Sequence, residues 1–383
     1  MSRPVIESVE LRKLVDFAEA SVVEGRRGGL VAISPARARA WQHNPHADPD
    51  DAALLVARLD GRCVGYLGIV PGRLRIEGRD ERVDWLTTFY VPRCWRATGV
   101  GTLLLLGACG LGRTLAVSGA PAAEARTYGK LGFVSPGVVE YYVLDFSERN
   151  PFAPLLGALR RLAAETGLQT RIFELGARAA ARITRSCAMP LLRTILAPSR
   201  RVDTRPLAGL RDADFERVAD QRHPVRFSRD ASVIDWMLHH PWVTTNGLEE
   251  LPGYRFDDFR EDAGYRLLEI HDERGAQGFA LLSLTTTRGV REVRLLDHHL
   301  RDVADAPRLL PSIVLDHAAH YGAERVVLPE SCRPAIGGAS LPRRLFETRR
   351  RRTWVRPGRA AAALRTLLPD LKLDYCDGDA CFA

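Results

Sequence analysis

At 383 residues the chain exceeds what one hydrophobic core comfortably fills, and 46% hydrophobic with 27% charged residues excludes a disordered or fibrous protein. No apolar run reaches the roughly 18 residues of a membrane span, and Met1-Ser2-Arg3-Pro4 leads into Glu7 and Glu10 rather than an apolar export signal. The formal net charge of +8 is concentrated in residues 151–205, where ten arginines face Glu165, Glu174 and Asp203, so neither flanking half carries a nucleic-acid-like basic face.

The first readable elements follow the turn-rich run His43-Asn44-Pro45-His46-Ala47-Asp48-Pro49. Residues 53–59 read as a strand, Asp60-Gly61 as a tight turn and 63–70 as the returning strand. A third strand over 82–91 should stop at Pro92, which has no amide hydrogen to give a ladder. Leu103 to Leu106 open an apolar helix; 114–117 is a short strand, 122–128 a short helix and 138–146 a closing strand. This order predicts an α/β fold: mixed twisted sheets flanked by helices.

Residues 151–205 differ. The spacing predicts helices over 151–164 and 172–196, with Pro190 breaking the second. Ile172, Leu175, Ala179 and Ile183 recur at helical spacing, while Arg171, Arg178, Arg182 and Arg185 occupy much of the remainder. The segment reads as a basic helical linker packed across two domains. A basic amphipathic helix also suits an anionic membrane surface or a protein partner, and both readings stay open. Nucleic acid is not expected as a partner, because no supporting motif accompanies the charge.

The later half repeats the opening plan. Trp41-Gln42-His43-Asn44-Pro45 precedes the first strands, and Trp236-Met237-Leu238-His239-His240-Pro241 precedes the later ones. Residues 265–271 and 277–285 read as a hairpin, 290–297 as the next strand, 306–321 as a helix and 325–328 as another strand. The expected organisation is a first domain over 1–150, a linker over 151–205 and a degenerate copy over 206–383.

The segment Tyr90-Val91-Pro92-Arg93-Cys94-Trp95-Arg96-Ala97-Thr98-Gly99-Val100-Gly101-Thr102 is the most informative. A strand ends, a glycine-containing turn follows and an apolar helix begins, an arrangement that points unpaired amides at one anion. It lacks the Gly-Lys-Ser/Thr ending of a Walker loop and the Gly-x-Gly-x-x-Gly run of a dinucleotide fold. A second run follows, Tyr128-Gly129-Lys130-Leu131-Gly132-Phe133. Together these resemble the GNAT acetyltransferase superfamily over roughly 1–146, most specifically 82–133, and imply two GNAT-like domains with the second degenerate. The resemblance implies that Val91, Arg96, Ala97, Thr98, Gly99, Val100, Gly101 and Thr102 bind the pyrophosphate of acetyl-CoA. It also implies that Tyr128 lies near the thioester sulfur. Ser118-Gly119-Ala120-Pro121 stands where many relatives carry an asparagine, a departure in the cofactor contacts.

The resemblance further implies acyl-CoA-dependent transfer, with an acetyl group passing to a primary amine by direct attack in a ternary complex. Tyr128 is then the candidate acid for the departing thiolate, or a packed, cofactor-stacking ring. Asp84 is the candidate base, or an ordinary strand-end carboxylate; Glu124 has a weaker claim. His43 and His46 read as capping or acceptor-pocket residues, and Cys94 as incidental or as a low-pKa thiol. Asp297, His298, His299, His317 and His320 are metal-capable, yet the expected metal content is none. Arg349-Arg350-Arg351-Arg352 reads as a solvated run or a contact for CoA phosphates. The expected partner is a small-molecule amine. The alternative is a non-catalytic acyl-CoA-binding regulatory protein docking a membrane or protein through the basic linker. Seven scattered cysteines form no secreted disulfide framework, which together with the N-terminus predicts a cytoplasmic protein.

Overall fold

The computed structural model describes residues 3–120, 124–146, 185–197, 202–210, 225–243, 251–256, 260–301, 306–338, 340–358 and 364–378. The helical pattern predicted over 151–164 and 172–184 lies outside them. In chain order the strands are β1 (Val5–Glu10), β2 (Ala52–Leu59), β3 (Arg62–Ile76), β4 (Arg79–Tyr90), β5 (Thr114–Ser118), β6 (Val134–Asp145) and β7 (Asp203–Leu207). They continue with β8 (Val225–Ser228), β9 (Asp262–Asp272), β10 (Gly275–Thr287), β11 (Val290–Leu300), β12 (Arg325–Pro329), β13 (Phe346–Arg356) and β14 (Leu371–Lys372). The helices used below are α1 (Leu14–Arg26), α2 (Pro35–Gln42), α3 (Val100–Gly110), α4 (Ala125–Lys130), α5 (185–195), α6 (Ala231–His239) and α7 (Ala306–Tyr321).

Contacts gather the chain into two compact units that interleave in sequence. Met1–Val139, Ala208–Arg260 and Arg350–Ala383 form one; Glu140–Leu207 and Glu261–Arg349 form the other. Sequential boundaries at 150 and 206 do not delimit these units.

The first unit has the strand order β1-β2-β3-β4-β5-β13, with β4 and β5 parallel and every other neighbouring pair antiparallel. Its hairpin turns obey local chemistry. Asp60 (φ 48°) with Gly61 (φ 77°), and Glu77 (φ 48°) with Gly78 (φ 84°), occupy the left-handed region that a two-residue turn needs at both central positions. Alternation then divides the side chains between the faces. Leu67, Ile69, Leu86 and Leu115 share a core with Val100, Leu104, Leu105 and Ala108 of α3. On the opposite face, Gly68 makes room for Trp41 of α2; a Cβ there would lie 2.7 Å from the indole. Ser34 caps α2 by accepting from the Arg37 amide at 3.2 Å, with Pro35 pre-set in the first turn. Two later segments complete this face: α6 brings Trp236 against α2, and β8 pairs with β3 over Arg73–Ile76.

The second unit has the order β7-β9-β10-β11-β12-β6, again with a single parallel pair, β11 with β12. Leu310, Val314, Leu315 and Ala318 of α7 pack on Leu282, Leu295 and Val326. The predicted break at Pro190 is corrected: α5 continues through it. An interior proline costs about 3 kcal/mol of helix stability, but Met189, Leu192 and Leu196 are buried in this core and oppose that cost. The closing strand predicted over 138–146 is present as β6; its residues 141–145 pair with β12, and β13 supplies the strand beside β5.

Candidate active site

The site region begins where β4 stops being regular. Tyr66 pairs with Tyr90 but Gly68 with Thr87, so β4 carries an extra residue. Thr88 sits at φ 46° in this bulge, and Thr87 and Thr88 are both buried. The parallel pairing of β4 with β5 is confined to Val83–Trp85 against Thr114–Ala116. Beyond it, the ends of the two strands are not paired with each other among the described residues. Carboxyl ends of adjacent parallel strands are where α/β folds bind ligands.

The turn after β4 is shaped by its own sequence. Val91 is buried, residues 93–98 form a 3-10 helix, and Gly99 at φ 83° caps α3, with its carbonyl accepting from the Leu103 amide at 3.0 Å. A Cβ on Gly99 would meet nothing within 4 Å, so its backbone conformation, not crowding, calls for glycine. At Gly101 the reason is space, since a Cβ would lie 3.2 Å from the Phe89 ring. Arg96 Nε donates to the Val91 carbonyl at 3.1 Å and Thr98 Oγ1 to that of Trp95 at 2.7 Å. Both bonds fold the turn back so that Arg96, Ala97, Thr98 and Gly99 face solvent together. The amides of Val100, Gly101 and Thr102 begin α3, and the first amides of a helix have no partner within it. An open, glycine-lined turn with helix-end amides and a cation fits a phosphate group, while Val91 and Val100 of the sequence-assigned set are themselves buried.

Tyr128 lies on α4, 2% exposed, with its ring edge-on to Phe133 at 5.2 Å and stacked on Trp354 at 6.1 Å and 21°. Burial pushes the phenol above its ordinary pKa, and the Glu124 carboxylate one helical turn earlier reinforces the shift. Glu124 is itself raised by burial, against the lowering influence of the Tyr128 hydroxyl and Arg96. Glu124 thus interacts electrostatically with both Arg96 and Tyr128. No motif pointed to Trp354, because it belongs to β13, 226 residues further along the chain.

Asp84 does not face an open cleft. It is fully buried, 3.4 Å from Arg113 and 3.6 Å from Arg82, in a network that Asp51 completes by pairing with both arginines. Burial raises its pKa despite the two guanidinium groups. The reading of Asp84 as a base gives way to a buried ion-pair residue that joins β4 to the start of β5. His43 stacks on His240 at 4.0 Å, and His46 lies 3.1 Å from Asp230. Both lie between α2 and α6. Cys94 is exposed on the turn. No group of three metal-capable side chains gathers among the described residues. His298 faces Ser331 at 2.7 Å, and His320 bonds the Asp316 carbonyl. In the run 349–352, Arg351 donates to the Tyr375 carbonyl, and Arg352 lies 5.9 Å over the Trp354 ring.

Residues 26–133 match the Acetyltransferase (GNAT) family. The chain matches no curated protein sequence. Among solved structures it resembles a GCN5-related N-acetyltransferase from Anabaena variabilis, at 12% identity and a TM-score of 0.52, covering 92% of this chain and 72% of that one. It also resembles the N-myristoyltransferase of Saccharomyces cerevisiae with bound myristoyl-CoA, at 10% identity and a TM-score of 0.50, covering 93% of this chain and 83% of that one. At such identities the likeness is one of fold.

Proposed function

We propose that the protein is an acyl-CoA-dependent N-acyltransferase that moves an acetyl group from acetyl-CoA to the primary amine of a small molecule. The observation that carries this reading is the left-handed Gly99 turn opening α3 in the same unit as the buried Tyr128. Acetyl-CoA, when bound, supplies an activated thioester. Val91, Arg96, Ala97, Thr98, Gly99, Val100, Gly101 and Thr102 hold its pyrophosphate through amides and one guanidinium. Tyr128, like any phenol, holds its proton at neutral pH and so has one to give to a departing thiolate; burial makes it a weaker acid than an exposed tyrosine. The amine attacks directly within the ternary complex. Asp84 makes a poor base, since two arginines already claim its carboxylate.

The second unit repeats the strand order and the single parallel pair of the first, which supports a duplicated GNAT-like plan. It lacks the phosphate turn: Leu300-Arg301-Asp302-Val303-Ala304-Asp305-Ala306-Pro307 holds no Gly-x-Gly. We assign the catalytic role to the first unit and a supporting role to the second.

The test is incubation of the full-length protein with acetyl-CoA and a panel of amines, following free thiol and product mass. Amine-dependent thiol release with an acetylated product is expected. Failure to bind either acetyl-CoA or CoA by calorimetry overturns the proposal. Binding without transfer to any amine points instead to an acyl-CoA-binding regulatory protein that docks an anionic membrane or a protein partner through the basic segment 151–205.

A further inference from the structure

We propose that Trp354 is the positioning residue that holds the Tyr128 phenol in the acyl-transfer site, so that the site requires a strand from the far end of the chain. The inference rests on the reading of Tyr128 as proton donor. Two aromatic walls meet the phenol. Phe133 meets it edge-on at 5.2 Å and 76°, while Trp354 lies nearly parallel at 6.1 Å and 21°. Phe133 comes from the turn directly after α4, so it moves with Tyr128. Trp354 does not. It is fixed by the pairing of β13 with β5, in which Trp354 lies opposite Val117.

The strand is fastened on both sides of that indole. The Gly119 amide donates to the Arg352 carbonyl at 3.0 Å, tying β13 to the chain as it leaves β5. Arg356 Nε donates to the Leu131 carbonyl at 2.9 Å, tying β13 to the chain as it leaves α4. Side chains two apart on a strand share a face, so Arg352, Trp354 and Arg356 all point to the side that carries α4. Arg352 stands 5.9 Å over the indole and covers its outer side. The indole is 9% exposed and belongs to the same core as Leu104 of α3, Val117 and Tyr128. It is therefore the fixed reference against which the phenol plane is set. A misplacement of about 1 Å can cost on the order of 100-fold in rate.

The test compares full-length Trp354→Leu and Trp354→Phe with the parent protein, with Tyr128→Phe as control, after near-ultraviolet circular dichroism has established folding. Trp354→Leu should lower kcat at least about tenfold while KM for acetyl-CoA changes by less than about twofold, because the phosphate turn is untouched. Trp354→Phe, which keeps a ring, should restore most of kcat. A second readout needs no cofactor: the carbon-13 resonance of ring-labelled Tyr128, assigned by its loss in Tyr128→Phe. Its ionisation should move to lower pH in Trp354→Leu, as water reaches the phenol, and stay near the parent in Trp354→Phe. Unchanged kcat and unchanged ionisation in Trp354→Leu, with turnover lost in Tyr128→Phe, overturn the assignment to Trp354 alone. Unchanged turnover in Tyr128→Phe overturns the reading of Tyr128 and this assignment with it. If Trp354→Leu does not fold, the Tyr128 resonance in Trp354→Phe decides. The smaller ring current must shift it, and an unmoved resonance overturns the contact.

Discussion

The indole N–H of Trp236 donates to the carbonyl of Ala40 at 2.7 Å, joining α6 to α2 across 196 residues of sequence. The same pair of helices is held by the stack of His43 on His240 and by the edge contacts of Trp242 with Trp41 and Trp236. The two Trp-containing segments that recur in the sequence are therefore neighbours within one unit. Trp236→Phe keeps the ring but leaves the Ala40 carbonyl without this donor. Thermal unfolding of the full chain should show a loss of about 1–2 kcal/mol, with no change in acetyl-CoA affinity.

Asp230 caps α6 by accepting from the Val233 amide at 3.0 Å, and it faces His46 at 3.1 Å. Burial alone would raise its pKa, but His46, Ser232 and the Val233 amide outweigh burial and hold the carboxyl below the ordinary value. A depressed carboxyl contributes stability that is present above the unfolded pKa of about 4 and lost as pH falls through the folded one. Asp230→Ala should cost about 1 kcal/mol at neutral pH, and Asp230→Asn less, since it can still cap. Urea unfolding between neutrality and strong acid should show both gaps closing as the pH falls. A gap that persists in acid would refute the electrostatic part.

Gly99 at φ 83° can be replaced without a clash but not without strain. Gly99→Ala should cost about 1–2 kcal/mol and weaken acetyl-CoA binding by displacing the first amides of α3. Arg96→Ala should lower affinity roughly tenfold, the loss of one charge-assisted hydrogen bond. Calorimetry on both variants measures the two effects separately.

Tyr128→Phe should lower kcat about 100-fold or more with little effect on CoA binding, if the hydroxyl supplies the proton. Glu124→Gln removes the carboxylate that helps hold the phenol above its ordinary pKa. The alkaline limb of the rate profile should therefore move to lower pH in that variant. Steady-state rates across pH check both outcomes.

Much of this fold was legible in the sequence. The Asp60-Gly61 turn, Pro92 at the end of β4 and the Gly99 turn follow from backbone chemistry within a few residues, and all stand where they were expected. The turns at Glu77-Gly78 and Arg288-Gly289 obey the same rule, and the strands on either side of them run longer than the alternation predicts. The surroundings of Asp84 are not legible in the same way. Its carboxylate is claimed by Arg82 two residues away and by Arg113 from the start of β5, and the second pairing depends on β4 and β5 lying parallel.

The sequence by itself determined the run from β2 through β5 with α3, the run from β9 through β12 with α7, and the glycine turn that opens α3. Hairpin twist, proline's missing amide and glycine's left-handed freedom act over one or two residues. Only the tertiary structure decided which strand lies beside β5 and which ring covers Tyr128. Strand pairing is set by buried area and ladder geometry between segments hundreds of residues apart, and no local pattern records that β13 lies beside β5.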